Sequence, residues 1–431
     1  MSTAVSSQGT RPSRGPLTEL LLGGGRARRI TWIVVAAFLL VSAVRVISGE
    51  QALTSSSTIA AALLLAVPIG LAALGGLFSE RAGVVNIGLE GMMILGTWGA
   101  GFAGYQWGWA AALAGGILFG AVGGLLHAVA TVTFGVDHVV SGVAINILAG
   151  AAGAGGFSRF LSELFYADNA AGGGVTQSPA LSSRPPEVSL PVLSSGPDLL
   201  GDVERQGWFL VSDLAGVARG LTSGVGLVTL IAVLLVPASY LLLWRTAFGL
   251  RLRACGENPA AADSLGVAVY RMKYIAVIIS GSLAGLGGVF LVFIAGIYRE
   301  NQTNGRGFIG LAALIFGNWR PGGLAAGAGL FGFADALQLR SRTAVVALLL
   351  LVAVLLAGVA IWQATRRRAL QAVLAGVVAV GALIGFLTIE VLPPGIVSFT
   401  PHLTTLLVLS LASQRLRMPK ADGLVYRRGE H

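Results

Sequence analysis

The chain has 431 residues, of which 55% are hydrophobic and only 11% charged, with a formal net charge of +10. A water-soluble globular protein carries roughly a quarter charged residues, so the composition excludes that class. The positive excess is almost all arginine, set in short clusters between apolar runs, which is how orientation signals are distributed in loops; a nucleic-acid-binding face is excluded with it.

Runs of about 20 apolar residues match the thickness of a bilayer's hydrocarbon core. They predict an all-α polytopic membrane protein. The 62 glycines spread through these runs suit helices packed backbone to backbone. The period-two alternation of a membrane β-barrel is absent. The single Cys255 excludes an intramolecular disulfide.

Residues 1–29 are polar, end in "RARR" and predict a disordered cytoplasmic N-terminus. Val41-Ser42-Ala43 has the look of a cleavage site, but the long basic leader and the many later spans favour an uncleaved anchor at 30–47. Further spans are predicted over 57–78, 87–105, 109–133, 139–160, 223–244 and 274–297. Between 161 and 222 lies the longest polar stretch, containing "SSRPPEVSLPVLSSGPD"; parity places it outside, with a short amphipathic helix near 198–219.

Residues 307–340 are read as two short spans broken at "GNWRPGG". That choice puts Arg320, Arg366 to Arg368 and the basic tail on the inside, as the positive-inside bias requires. A core over 30–340 is followed by an added two-helix segment (343–391), a final helix (396–413) and a cytoplasmic tail (414–431), for twelve spans with both termini cytoplasmic. The stretch "LAALGGLF" (71–78) recurs as "LAGLGGVF" (283–290), and "IGLEGMMILGTW" (87–98) is echoed by "IGLAALIFGNW" (309–319). The two copies enter the membrane from opposite sides, which is an inverted repeat of the kind that places a transporter's substrate site near the midplane.

Asn86, Glu90 and Asn146 stand out as polar residues inside apolar runs. A charge at mid-bilayer costs ~2.5–3.5 kcal/mol on insertion scales. Two readings are open for Asn86 and Glu90: a helix-end stabiliser at a cytoplasmic turn, or a broken helix offering acceptors to a solute in a polar cavity. Asn146 either lines the same path or bonds a neighbouring helix. The stretch "RENQTNGRG" (299–307) holds the matching place in the second repeat, as exterior loop or vestibule wall.

The cytoplasmic loop 245–273 carries Arg245, Arg251, Arg253, Arg271 and Lys273. Within it "ENPAAADSLGV" predicts a short helix with Asn258 as N-cap, Pro259 first and Gly266 at its end. Such a helix, held between two spans, can transmit force from a partner. There is no GxxxxGK[ST] loop, no HExxH and no GxSxG elbow, and His127, His138, His402 and His431 form no metal-spaced set. An enzyme is therefore not expected; an ATP-driven process needs a second chain.

"LFSERAGVVNIGLEGMMILG" followed by "RACGENPAAADSLGV" resembles the permease subunits of bacterial ABC importers in the branched-chain amino acid/ribose permease superfamily, most of all the nucleoside and simple-sugar branch. The resemblance covers about 57–340 and again 396–428. It implies that 251–268 is a coupling helix docking into an ATPase subunit, with Arg253, Gly256, Glu257, Asn258, Pro259, Ala262 and Gly266 at or around the contact. It also implies that "VVNIGLEG" lines the translocation path, which favours the cavity reading of Asn86 and Glu90. No cofactor or metal is expected in this chain, with ATP and Mg on the ATPase partner. A second homologous permease, a solute-binding lipoprotein and a small-molecule solute complete the set of partners, in the cytoplasmic membrane. Simple-sugar import and, from another class, ion-coupled secondary transport are the competing expectations, ahead of a purely structural or signalling role.

Overall fold

In a bilayer the backbone must satisfy its own hydrogen bonds, so apolar runs become helices. A computed structural model describes residues 26–150, 156–166, 176–188, 198–391, 393 and 416–429. The chain opens with α1 (Arg26–Ser48), α2 (Ser56–Arg81), α3 (Leu89–Trp107) and α4 (Trp109–Ala128), the last prolonged by a π turn over Val129–Thr133. Then come α5 (His138–Ala149), α6 (Gly156–Tyr166), α7 (Leu199–Arg205) and α8 (Val211–Thr222). Two-residue strands β1 (Glu187–Val188) and β2 (Val225–Gly226) pair antiparallel around these last two.

The second half comprises α9 (Leu227–Arg245), α10 (Ala247–Glu257), α11 (Pro259–Ser264) and α12 (Val269–Ala295). It continues through α13 (Arg306–Phe316), α14 (Pro321–Arg340), α15 (Arg342–Thr365) and α16 (Ala369–Thr388). Among the described residues six helices are long and apolar enough to cross a membrane: α2, α4 with its π turn, α9, α12, α15 and α16. The fold is all-α and multi-pass.

At its centre α2 and α12 cross antiparallel. A Cβ on Gly75 would lie 2.6 Å from the Ser280 carbonyl oxygen, and one on Gly287 would lie 3.0 Å from that of Pro68. Numbers rise on one helix as they fall on the other, so the two echoed octapeptides sit on helices of opposite direction. The half-helices pack crosswise on this pair: α13 lies on α2, with Gly310 against Ala72 and Ile69, and α3 lies on α12, with Gly96 against Gly285.

One end of the bundle, the near end, gathers the C-terminus of α2, α10, α11, the 317–320 turn and residues 416–429. Arg81 donates to the Trp319 carbonyl at 2.7 Å and Ala421 N–H to the Gly256 carbonyl at 2.9 Å. The far end gathers the end of α1, α7, α8 and residues 176–188. There a buried Arg45–Asp213 ion pair closes at 2.7 Å, and Ser182 N–H donates to the Gly104 carbonyl at 3.2 Å.

The sequence expectation of one span over 139–160 is corrected. Gly150 takes a left-handed φ of 109° and ends α5, and α6 starts afresh with Ser158 Oγ donating to the Ala149 carbonyl at 2.7 Å. Glycine and alanine kept that stretch apolar without marking the break. Residues 161–166, expected to open the polar stretch, are helical as part of α6, and the single helix expected near 198–219 is two, parted at Gly207 with φ 69°. At "GNWRPGG" the helix does break: Asn318 and Trp319 both adopt φ 52° before Pro321 opens α14.

The 343–391 segment is a helical hairpin. Its α15 bears on α1, the turn after it and α14 through Val44, Leu53, Leu337, Ala344, Ala347 and Leu350, and α16 stays at the periphery. Residues 1–25, the expected final helix 396–413, residues 414–415 and residues 430–431 lie outside the described residues.

Candidate functional site

Between α2 and α3, residues 82–88 turn back from the near end into the bundle as non-helical backbone. Such backbone survives at membrane depth only where protein supplies its hydrogen bonds. Side chains from three helices do so. Lys273 Nζ donates to the Gly83 carbonyl at 3.3 Å, and Val85 N–H donates to His138 Nδ1 at 3.3 Å. The His127 Nε2 proton goes to the Val85 carbonyl at 3.0 Å, since a carbonyl can only accept, leaving Nδ1 to accept from Ser141 Oγ at 2.8 Å.

Asn86 and Asn146 finish this lacing. Asn86 Nδ2 donates to Ser280 Oγ at 2.8 Å, and its Oδ1 accepts from Gly88 N–H at 3.0 Å. Asn146 Nδ2 donates to the Ile87 carbonyl at 3.0 Å and Oδ1 accepts from Gly91 N–H at 2.8 Å. Both amides are spent on backbone and neighbouring helix, with 0% and 5% of their surfaces exposed, so neither presents a free polar group to a solute here. Because Ser280 lies near the middle of α12, Asn86 marks half-depth in the bundle.

Glu90 follows in the first turn of α3. Its Oε1 accepts from Thr303 Oγ1 at 2.7 Å and from Gly305 N–H at 2.9 Å, and its Oε2 accepts from Gly307 N–H at 2.6 Å. These donors form the N-terminus of α13. The N-termini of the two half-helices therefore meet at one acidic side chain, where both helix dipoles favour negative charge. Hydrogen bonds to a charged acceptor are worth roughly 1.5–3 kcal/mol each. Three of them exceed the insertion cost that made a buried glutamate puzzling. A Cβ on Gly307 would come within 2.6 Å of Glu90 N, so the approach admits only glycine.

Of the three sequence-predicted path residues, Glu90 alone borders open space. A cleft of about 360 Å³ is lined by Glu90, Ile94, Asn301, Thr303, Asn304, Gly305 and Phe308. Asn301 and Asn304 hold left-handed φ values of 60° and 45° and expose their amides; the Phe308 ring is 45% exposed. The 299–307 stretch thus folds inward, with an aromatic face and amides around a carboxyl group. Among the described residues no group of His, Cys, Asp or Glu could hold a metal ion.

The near end carries the residues expected to couple. The predicted coupling helix is bent into α10 and α11, with Asn258 at the corner capping α11 by accepting from Ala261 N–H at 3.0 Å and Pro259 in its first turn. Arg253 and Arg81 each place a guanidinium 5.4 Å from the Trp244 ring, and Arg253 donates to the Leu243 carbonyl at 2.9 Å. Gly256 and Ala262 are buried, Gly256 against the Arg81 carbonyl. Glu257, Asn258 and Gly266 face outward, the last with φ 81°. Arg253, Gly256 and Ala262 therefore brace the corner from within.

Sequence reasoning missed His127, His138, Ser141 and Ser280, and read Lys273 only as loop charge. Two histidines in apolar runs were the available signal; they were weighed as metal ligands and not as partners for a re-entrant backbone. Leu265, 85% exposed at the end of α11, was missed as well.

Residues 58–359 match the profile of a family described as branched-chain amino acid transport system, permease component. The guanosine ABC transporter permease protein NupQ of Bacillus subtilis is 40% identical over 292 residues, 66% of this chain and 82% of that protein. The nucleoside ABC transporter permease protein NupC of Lactococcus lactis is 31% identical over 373 residues, 84% of this chain and 94% of its own. A protein of Haloferax volcanii provisionally named as the glucose ABC transporter permease TsgC13 is 33% identical over 364 residues, 81% of this chain and 91% of its own. No solved structure matches. The chain belongs to the branched-chain amino acid transport system permease family.

Proposed function

We propose that this family member is the membrane-spanning permease subunit of an ATP-driven importer that carries nucleosides through the cytoplasmic membrane by alternating access. The observation that carries the solute class is the Glu90 cleft. A nucleobase stacks on the exposed face of Phe308, base–aromatic stacking being worth roughly 1–3 kcal/mol. The Asn301 and Asn304 amides reach base edges or ribose hydroxyls from the cleft rim. The names of NupQ and NupC point the same way.

In this reading the near end is cytosolic. It holds the arginines of the 245–273 loop, Arg320, Arg366 to Arg368 and the tail, and the antiparallel α2–α12 crossing is the inverted repeat about which the two halves rock. Twelve spans with both termini inside are part of this reading. ATP and Mg belong to an ATPase subunit that docks on α11, and a second homologous permease and an extracytoplasmic solute-binding lipoprotein complete the importer. Replacing Glu257 or Asn258 should then uncouple hydrolysis from transport.

Simple-sugar import by the same architecture is the second reading, supported by the name of the Haloferax relative. Ion-coupled transport is disfavoured by Glu90 itself: its oxygens already take three protein donors, a setting for an anion and not for a transported cation. Reconstituted uptake against a panel of nucleosides and pentoses tests the proposal. It requires uptake that stops on ATP depletion, survives collapse of ion gradients and favours nucleosides; pentose-selective uptake replaces the solute class, and gradient-driven uptake overturns the mechanism.

A further inference from the structure

Residues 416–429 are bound to the near end at several points. Arg417 N–H donates to Asn318 Oδ1 at 2.7 Å and Ala421 N–H to the Gly256 carbonyl at 2.9 Å, Arg428 pairs with Asp263 at 3.2 Å, and the Tyr426 ring lies 5.7 Å from that of Tyr270. Asp422 is buried at 7% exposure among Glu80, Arg81 and Lys273. A tail anchored in this way is a fixed part of the surface.

Its outward side is apolar where water should be. Leu424 is 60% exposed and Val425 44%, on the same end as Leu265 at 85%. A cleft of about 340 Å³ lies between the tail and the α10–α11 corner, framed by Glu257, Asn258 and Pro259 on one side and by Lys420, Leu424 and Tyr426 on the other. The cleft is continuous with the face of α11 that is the docking element in the functional reading above.

We propose that residues 416–429 and α11 form one composite docking surface for the ATPase subunit, with Leu424 and Val425 packing directly against an apolar projection of that partner. The proposal rests on the permease reading. Lys420, exposed at the cleft rim, favours an acidic border on the partner surface. The anchoring also gives the tail a mechanical route inward. The Ala421 carbonyl packs on Gly83, near the start of the re-entrant segment, and Trp319 Nε1 donates to Glu80 one turn earlier. Force applied to the tail is thus delivered to residues 82–88 and through them to Asn86 and the start of α3.

Cys255 is the chain's one cysteine, it is buried, and burial pushes its thiol up to about 11, so an introduced thiol reacts alone. Leu424→Cys, Leu265→Cys and a control, Leu118→Cys on the outer face of α4, are each labelled with a short photo-crosslinker in the assembled complex in vesicles. The tail and α11 sites are expected to yield a permease–ATPase adduct and the control none. As a second measurement, Leu424→Asp should lower ATPase retention on the purified permease about tenfold, the loss typical of a buried apolar anchor, with permease yield unchanged. An adduct from Leu265→Cys but not from Leu424→Cys, or retention of the Leu424→Asp variant within about twofold of the parent, overturns the tail's role and leaves the permease reading standing. Adducts only with lipid or a second permease copy overturn it too. No ATPase adduct from either site overturns the permease reading with it.

Discussion

The approaches to the two half-helices hold matching places in the repeat and are opposites in burial. Residues 82–88 lead into α3 buried, with Val84 and Asn86 both 0% exposed and their backbone laced by Lys273, His127, His138 and Asn146. Residues 299–305 lead into α13 along an open cleft, with Asn301 and Asn304 exposed. One approach is scaffold, and the other lines the open cleft that the proposed function assigns to the solute. Polar residues in a membrane span therefore do not by themselves mark contact with cargo. The distinguishing feature is whether the protein already satisfies their hydrogen bonds.

The sharpest way to break this contrast is Gly307→Ala. The added methyl would meet Glu90 backbone, which cannot yield as a flexible side chain could, so the two half-helices should part and folded permease should be largely lost from membranes. Normal yield and uptake would show that the junction is slack. Next in size, Asn86→Leu strands the Gly88 N–H and the Ser280 hydroxyl. It should cost about 1–3 kcal/mol of stability, seen as a lower melting temperature in detergent. A variant that melts like the parent yet fails to transport would move Asn86 from the scaffold to the solute path.

Phe308→Ala tests the other half of the comparison. Loss of one stacking face should raise the KM for nucleoside uptake about tenfold while melting and complex assembly stay put. Unchanged uptake kinetics would remove Phe308 from the solute wall.

The smallest effect is a pH dependence at the near end. Burial, then the neighbouring Glu80, pushes the Asp422 carboxyl up to about 9 from 3.8, against the opposing pull of Lys273, the Gly423 N–H and Arg81. A docked tail thus holds a proton that a free tail releases. Docking is strongest below the free value and weakens as pH rises toward about 9. A fluorophore on Leu424→Cys should become more accessible to a quencher between roughly pH 6 and pH 9, and Asp422→Asn should flatten that curve. A flat curve in the parent protein would contradict the shift.

Much of the molecule was legible before any coordinates. The break at "GNWRPGG" follows from Pro321 and the glycines around it, and the short helix capped by Asn258 follows from side-chain-to-backbone chemistry within three residues. Both are local, so spacing along the chain is enough. The break at Gly150 was missed because an apolar run was read through without regard to glycine's weak hold on a helix.

Composition and local pattern determined on their own that this chain lives in a membrane as packed helices, that it repeats itself, and where it caps or breaks several of them. Those are properties of neighbouring residues and of solvent preference. Only the tertiary structure decided that Glu90 sits on the N-terminus of a helix more than 200 residues away, that two histidines bond a re-entrant backbone, and which polar stretch faces the cleft. Hydrogen bonds between distant segments depend on which helices cross and at what depth, and that is set by packing at the α2–α12 glycines, not by spacing along the chain.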